Sequence, residues 1–240
     1  MEKNKVCLIL TGTIQPLNVP NLNRDNYLER EQDYYNGIQY WMKFNLPLIF
    51  CENSNYNSKS ITNLIGTNNP DIEVLQFHSK SSLFGKGHGE ADIFKYIQQN
   101  SILYQLHEKF CKISGRYVVS NFNKINHLLE GSYYICSNLS SSMRWADSRF
   151  FFFTKDFFEQ YFLPNLELLD EKNRIYMENI LARSISKALS DGQNFQLLPL
   201  YPNYSAIDGT SNIHYRDNFY SRLKYKFYWK LKTFIFKKAI

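Results

Sequence analysis

The stretch that decides the fold is KVCLILTGT, residues 5–13, in which five apolar residues lead into a polar tip with a central glycine. A short apolar run bounded by a turn signal predicts a buried strand. The same pattern returns in LPLIFCENS, residues 46–54, and in IEVLQFH, residues 72–78. The three segments therefore predict strands, the first of them buried, and each leads into polar residues.

Segments with helical spacing of apolar residues lie between and after these strands. Helices are predicted over residues 23–44 and 91–107, and further strands within residues 112–122, 132–139 and 149–162, the last of which runs on into a helix. Strands that alternate with helices predict an α/β fold with a mostly parallel, doubly wound sheet flanked by helices. In such a sheet the ligand crevice lies at the carboxyl ends of the strands, where the polar tips fall.

The composition allows one sizeable α/β domain with a C-terminal appendage, since 44% of the 240 residues are hydrophobic. The four cysteines are far apart and lack the CxxC spacing of a zinc site or a redox pair, so they are predicted to be reduced core residues. The first apolar run, Val6 to Leu10, is too short for a signal-peptide core. We therefore expect a cytoplasmic protein.

The net charge of +6 belongs to the end of the chain. Residues 220–240 carry seven basic side chains and no acid, which leaves about −1 (6 minus 7) for the rest. Four apolar residues recur there at helical spacing: Leu223, Phe227, Leu231 and Phe234. A basic amphipathic helix with Trp and Phe favours the inner surface of the cytoplasmic membrane. Contact with RNA, or packing on the body of the protein, is the alternative.

We accordingly divide the chain into a domain, residues 1–219, and a membrane-associating tail, residues 220–240. The nearly neutral domain lacks the basic surface that a nucleic-acid-binding domain uses. No nucleic acid partner is expected.

The glycine cluster LFGKGHGEADIFKYI, residues 83–97, precedes a predicted helix. Glycines let a ligand approach the backbone, and a helix start favours an anion. Lys86 suits a phosphate there, and Glu90 suits either sugar hydroxyls or the helix dipole. The spacing is that of neither a P-loop nor a dinucleotide motif, so a simple turn is the alternative. His88 has no partner at metal-ligand spacing.

Two further segments place charges among apolar residues. Arg116, in SGRY, is expected to meet a phosphate or a carboxylate, because a buried guanidinium without a partner is costly. Asp147, in MRWADSRFFFF, stands at a strand edge and is followed two positions later by Arg149. This acid suits a metal ion near a diphosphate, or an ion pair with a neighbouring arginine.

Glu178 begins a helix that is predicted to cover Tyr176–Ile185. A carboxylate at that point is a candidate general base for an acceptor hydroxyl, with an ordinary helix-start acid as the alternative. Residues 197–216 contain two prolines and predict a long loop after the last strand. Asp208 and His214 are candidates for a lid over the acceptor or the diphosphate.

Together, these segments resemble a group of bacterial glycosyltransferase-like proteins from lipopolysaccharide and capsule gene clusters. The resemblance covers about residues 6–215 and rests on the blocks ILTGTI, RDNYLEREQDYYNGIQYW, IFCENS, GKGHGEADIFKYI, KISGRY, ADSRFFFF and MENILAR. MENILAR is also similar to the ED-xxL-xxR helix of many inverting GT-A enzymes, with Asn179 in the place of the second acid. A two-carboxylate DxD motif is absent from the DSR segment.

The resemblance implies a GT-A-like Rossmann fold that moves a sugar from a nucleoside-diphosphate or CMP sugar donor to a glycan or lipid-linked acceptor of a surface polysaccharide. Its donor site is implied to comprise Thr11, Gly12 and Thr13 at the nucleotide, Glu52, Asn53 and Ser54 at the base and ribose, and Lys86, Gly87, His88, Glu90, Arg116 and Arg149 at the phosphates or sugar.

The resemblance also implies catalytic roles. Glu178 would be the base of an inverting reaction, and Asp147 would lie near the diphosphate. A Mg²⁺ or Mn²⁺ ion held by Asp147 is one option, and a metal-independent mechanism that relies on Arg and Lys side chains is the other. The competing interpretation is a catalytically inactive GT-A-like scaffold of a glycan assembly complex, which the missing acids favour.

Overall fold

Buried apolar segments form the central strands of the main sheet, whereas its edge strand at residues 72–76 is half-exposed; amphipathic segments form the helices. The computed structural model describes residues 5–16, 22–66, 69–129, 133–207, 209, 211–216 and 229. The strands are β1 (Cys7–Gly12), β2 (Leu48–Glu52), β3 (Ile72–Gln76), β4 (Lys109–Ser114), β5 (Val118–Val119), β6 (Ile135–Ser137), β7 (Phe150–Thr154), β8 (Phe195–Leu197), β9 (Tyr204–Ile207) and β10 (His214–Arg216).

The α-helices alternate with these strands over much of the chain. They are α1 (Tyr27–Met42), α2 (Lys59–Ile65), α3 (Lys86–Asn100), α4 (Ile102–Leu106), α5 (Phe122–Leu128), α6 (Lys155–Phe157), α7 (Leu163–Asn165) and α8 (Met177–Ser190). A π-helix, Phe158–Phe162, joins α6 to α7, and short 3-10 helices cover Ser81–Phe84, Leu166–Leu168 and Glu171–Asn173.

In the described part of the chain, seven strands form one sheet in the order β3-β2-β1-β4-β7-β6-β8. β7 runs antiparallel to its neighbours β4 and β6, whereas the other neighbouring strands are parallel. The prediction of a mostly parallel sheet is therefore confirmed. From β1 the chain winds outward through β2 and β3 and then returns to β4 on the other side, so the topological switch point lies between β1 and β4.

Helices cover both faces of this sheet. Successive residues of a strand point to opposite faces, so Cys7 and Ile9 join one hydrophobic cluster while Leu8 and Leu10 join another. The first cluster packs under α3, α8 and the phenylalanine-rich segment after β7. The second packs under α1, α2 and α5. All four cysteines are free and buried, and burial raises the pKa of each thiol, as expected for core residues.

Two predicted boundaries differ from the structure around the glycine cluster. Helix α3 begins at Lys86, so that Gly87 and Gly89 lie within its first turn rather than in a preceding loop. Gly85 has a φ of 148°, a conformation that favours glycine, and it ends the preceding 3-10 helix. The predicted helix over residues 91–107 is split at Ser101, because the Ser101 hydroxyl accepts a hydrogen bond from Tyr104 N at 3.0 Å and caps α4.

The prediction of a long loop over residues 197–216 was wrong in part. β9 and β10 pair antiparallel, and β9 also pairs with β5, which gives a three-stranded sheet beside the main one. Tyr204 and Ala206 are buried while Ser205 and Ile207 are half-buried, and this period of two is the pattern of a strand. The two prolines precede β9 and leave its hydrogen bonds intact.

Most of the predicted basic tail, residues 220–240, lies outside the described residues. Of this segment the structure describes Trp229, which is 5% exposed. Its indole Nε1 donates a hydrogen bond to Leu198 O at 2.7 Å, and its ring contacts Tyr201. This indole therefore packs on the domain. Among the described helices, none is long and apolar enough to cross a bilayer.

Close packing of α1 on the tip of β4 depends on Gly37. A Cβ atom at this position would lie 2.2 Å from the carbonyl oxygen of Gly115. Gly37→Ala is expected to lower the free energy of unfolding by about 1–3 kcal/mol, the usual cost of overpacking, despite the better helix propensity of alanine. Urea unfolding measures the change against Asn36→Ala, an exposed neighbour. A Gly37→Ala protein as stable as the wild type would contradict this packing.

Candidate active site

A cavity of about 480 Å³ opens at the switch point, beside the carboxyl ends of β1 and β4. The residues just before β7 reach the same edge, because β7 is antiparallel and Ser114 N donates a hydrogen bond to Arg149 O at 3.0 Å. The predicted site residues that line this cavity are Thr11, Gly12, Thr13, Lys86, Gly87, Glu90, Arg116, Arg149 and Glu178. The structure thus brings together nine side chains or backbone segments that are scattered over the sequence.

The tip of β1 is fixed by side chains from three other segments of the chain. Thr11 Oγ1 donates to Glu90 Oε1 at 2.9 Å, and Thr13 Oγ1 donates to Asn53 Oδ1 at 2.7 Å. The backbone N–H of Thr13 donates to the hydroxyl of Tyr34 at 2.9 Å. These bonds hold the β1 tip, which borders the cavity, in one conformation.

The predicted ribose-binding segment, Glu52 to Ser54, lies behind the cavity lining. Glu52 is fully buried, and its carboxylate accepts hydrogen bonds from the backbone N–H groups of Ile14, Ser54 and Tyr56 at 2.8–3.0 Å. Asn53 Nδ2 donates to Gly89 O at 2.8 Å. In this arrangement the three residues support the β1 and α3 ends of the cavity, and they do not contribute to its surface.

A buried ion pair between Lys112 and Glu90 lies under the cavity. Lys112 is fully buried in β4, and its Nζ atom lies 2.6 Å from Glu90 Oε1. The same ammonium donates to Ser148 O at 2.6 Å and to Ser114 Oγ at 3.3 Å. Sequence analysis missed Lys112, although a lysine inside an apolar strand was a usable signal, because a buried ammonium requires a partner.

Glu178 faces the cavity from the first turn of α8. Its Oε1 atom accepts a hydrogen bond from Ser148 Oγ at 2.7 Å, and the residue is half-buried. The next residue, Asn179, has a structural role. Its Oδ1 atom accepts a hydrogen bond from Tyr176 N at 2.9 Å, and its Nδ2 atom donates one to Arg144 O at 2.8 Å. Asn179 thus caps the helix where the resemblance implies a second acid, and Glu178 is held as a single carboxylate.

Asp147 is engaged by an ion pair and lies outside the cavity lining. Its two oxygens accept from Arg149 Nε and Nη2 at 2.8 and 2.7 Å, and Tyr204 Oη donates to Oδ2 at 3.1 Å. The side chain is only 3% exposed. A carboxylate whose oxygens are both committed to a guanidinium does not fit the predicted metal ligand. Over the described residues, no group of three or more His, Cys, Asp or Glu side chains is placed to hold a metal ion.

Arg30 and Arg116 both lie near the Tyr34 ring. The guanidinium carbon of each is 5.9 Å from the ring centroid. Arg116 Nη1 donates to Ile207 O at 3.0 Å and lies 3.7 Å from Asp33 Oδ2. Sequence analysis singled out Arg116 but missed Arg30, which is only 4% exposed and lines the cavity. The usable signal was an arginine at i−4 from Tyr34 on the apolar face of α1.

The start of α3 holds a second carboxylate that sequence analysis missed. Gly87 N donates to Glu171 Oε1, and a Cβ on Gly87 would lie 2.6 Å from that atom. Lys86 is exposed beside it and lines the cavity. His88 does not line the cavity, and its ring packs edge-on against Phe84. No sequence signal linked Glu171 to the glycines, because the contact joins residues 84 positions apart.

The two candidate lid residues do not join this site. Asp208 lies outside the described residues, and His214 is exposed on β10 without lining the cavity. Neighbouring Gly209 does line it, and a Cβ there would lie 2.8 Å from Arg116 Nη2. The β9–β10 segment therefore borders the cavity through backbone close to Arg116.

Solved structures of other proteins share this architecture. A protein assigned as a glucose-1-phosphate thymidylyltransferase from Bacillus anthracis is 6% identical, with a TM-score of 0.50 over 85% of this chain and 91% of that chain. The predicted Rossmann-like α/β fold is confirmed. At this identity the likeness concerns the fold and not the activity.

Two further solved structures are similar at lower scores. The inositol-1-phosphate CTP transferase from T. maritima is 12% identical, with a TM-score of 0.48 over 87% of this chain and 92% of that one. A glycosyltransferase involved in the glycosylation of the major capsid of PBCV-1 is 11% identical, with a TM-score of 0.46 over 80% and 81%. No protein-family model and no curated protein matches the sequence.

Proposed function

We propose that the protein is a glycosyltransferase that moves a sugar from a nucleoside-diphosphate or CMP sugar to a glycan acceptor. The observation that carries the proposal is the Glu178 carboxylate, which faces a cavity at the switch point of a Rossmann-like sheet and is oriented by Ser148 at 2.7 Å. Ligands of open α/β sheets bind at such switch points. A fixed carboxylate there is suited to accept a proton from a bound hydroxyl group.

The proposed reaction needs only groups from this chain and from its two substrates. Glu178 takes the proton of an acceptor hydroxyl while that oxygen forms a bond to the anomeric carbon of the donor. The bond from the anomeric carbon to the donor phosphate breaks, and the nucleotide leaves with the electron pair. Guanidinium groups that line the cavity, from Arg30, Arg116 and Arg149, stabilise the charge on the leaving nucleotide.

The proposal also covers the acceptor and the cellular location. We place the acceptor in a growing surface glycan, such as lipopolysaccharide, O-antigen or capsule, on the inner face of the cytoplasmic membrane. The motif blocks of the sequence and the basic residues of segment 220–240 support this placement. No step above depends on a metal ion.

A thermal-shift screen tests the proposal directly. UDP, GDP, CMP and dTDP sugars are each added with and without Mn²⁺, followed by a donor-hydrolysis assay. A donor present at about 100 times its Kd should stabilise the protein by about 2.7 kcal/mol, which raises the melting temperature by several degrees. Stabilisation without turnover would instead indicate the inactive scaffold. If no sugar nucleotide shifts the melting temperature or is hydrolysed, the proposed function is wrong.

The same screen separates a nucleotidyltransferase from a glycosyltransferase. Nucleoside triphosphates and sugar 1-phosphates are added as pairs, and the release of pyrophosphate is measured. A glycosyltransferase is expected to leave these pairs unreacted. Release of pyrophosphate would assign the cavity to nucleotide transfer instead.

A further inference from the structure

Arg30 is a buried cation whose hydrogen bonds all go to uncharged oxygens. Its guanidinium donates to Thr13 O, to Arg24 O at 3.0 Å and to the Tyr34 hydroxyl at 3.4 Å. Within the described residues, no carboxylate lies within ion-pair distance of it. Burial lowers the pKa of this guanidinium; Tyr34 and Asp33 raise it, whereas the positive charges of Arg116 and Arg24 lower it further. A buried charge with this little compensation is costly unless a ligand supplies the opposite charge.

The charges around Arg30 leave a local positive excess. Arg24 binds Asp33 through two hydrogen bonds, at 2.6 and 3.1 Å, and also contacts the more exposed Glu29 at 2.8 Å. Arg116 reaches the same Asp33 only at 3.7 Å. Among the described residues, three guanidinium groups thus share two carboxylates, which leaves one net positive charge (3 minus 2). That excess is at the cavity wall, because Arg30 and Arg116 both line the cavity.

Other cations near the cavity have local counter-charges. Arg149 is bound by both oxygens of Asp147, and Lys112 is paired with Glu90 at 2.6 Å. Lys86 is adjacent to Gly87, whose N–H group already holds the Glu171 carboxylate. Among the described cations at the cavity, Arg30 and Arg116 therefore have the least local compensation for their positive charge.

We propose that Arg30 and Arg116 form the binding site for the diphosphate of the donor, beside the ring of Tyr34. Guanidinium groups bind phosphate oxygens through paired hydrogen bonds, and two of them on different elements can hold adjacent phosphates. Sheet order supports this placement: the arginines lie at the β1/β4 side, and Ser148 with Glu178 lies at the β7 side. The transferred sugar would then extend toward Glu178. The identity of the ligand as a donor diphosphate rests on the proposed function.

Calorimetric titration with inorganic pyrophosphate tests the site without requiring turnover. The wild type is expected to bind pyrophosphate, and Arg116→Gln should weaken binding by about tenfold or more, as expected for loss of a charged hydrogen bond. Arg30→Gln should also weaken pyrophosphate binding. Arg30→Lys keeps the positive charge and should therefore lose less affinity. Lys86→Ala is expected to weaken binding less than Arg116→Gln. The matched control is Arg183→Gln, an exposed arginine of α8 outside the cavity lining.

The two glutamine variants keep the test informative if one fails to fold. Arg30 also fastens the segment after β1 through Thr13 O, whereas Arg116 takes no part in that contact. Absence of pyrophosphate binding to the wild type, or wild-type affinity in Arg116→Gln, would overturn the proposal. Arginine-dependent pyrophosphate binding in a protein that turns over no sugar nucleotide would refute the proposed function and leave this site in place.

Discussion

Glu178→Gln is expected to lower the rate of donor hydrolysis by about 10²- to 10⁴-fold, the usual contribution of a general base. The amide has nearly the shape of the carboxylate and still offers an oxygen to Ser148 Oγ, which now lies 2.7 Å from Glu178 Oε1. The packing of α8 does not depend on the charge, because the buried face of the helix is formed by other residues. The loss should therefore appear in kcat with little change in the melting temperature.

Glu167→Gln is the control for this substitution. Its carboxylate is exposed and pairs with Lys95, and it does not line the cavity. The measurement uses whichever sugar nucleotide raises the melting temperature of the wild type, with product nucleotide quantified at saturating donor. A Glu178→Gln enzyme that keeps more than half of the wild-type rate would rule out Glu178 as the base. A variant with both lower activity and a lower melting temperature would indicate a structural role for Glu178.

The fold was predictable because its signals are local. The apolar runs around Leu8, Ile49 and Val74 predict strands, and all three became neighbouring parallel strands. Since parallel strands end at one edge, the polar tips that follow them had to gather there. This is why Thr11 and Arg116, 105 positions apart (116 minus 11), line one cavity.

The parts of the site that escaped prediction depend on tertiary contacts. Glu171 reaches Gly87 through a turn that no periodicity marks, and the spacing of Arg30 from Tyr34 indicates the apolar face of α1 but not that Arg30 lines the cavity. Asp147 illustrates the opposite case, since its position near the crevice was predictable but its pairing with Arg149 decides what it can do. Residue type and spacing thus locate a site, whereas the partner of each charge fixes its chemistry.

Lys112→Met is expected to destabilise the protein by about 3–5 kcal/mol, the usual cost of removing one partner of a buried ion pair. The substitution removes the ammonium that binds Glu90, Ser148 O and Ser114 Oγ. Among the described residues, Glu90 then keeps only the Thr11 hydroxyl as a bonding partner, at 2.9 Å. Because Lys112 joins β4 to α3 and to the segment before β7, the loss reaches three elements of the cavity. Urea unfolding of both proteins gives the difference in free energy.

Lys95→Met provides the matched comparison, because Lys95 also pairs with a glutamate at 2.5 Å but at the surface. The lysine and glutamate side chains of that pair are 41% and 71% exposed, and exposed pairs contribute about 0–1 kcal/mol. The residue types and distances of the two pairs are nearly the same. The ratio of the two losses in free energy of unfolding therefore measures the effect of burial on an ion pair. Adding Glu90→Gln to Lys112→Met should recover part of the loss, because the double variant no longer buries an uncompensated charge. Equal losses for Lys112→Met and Lys95→Met would mean that the Lys112 ammonium does not hold the β4 end of the cavity together.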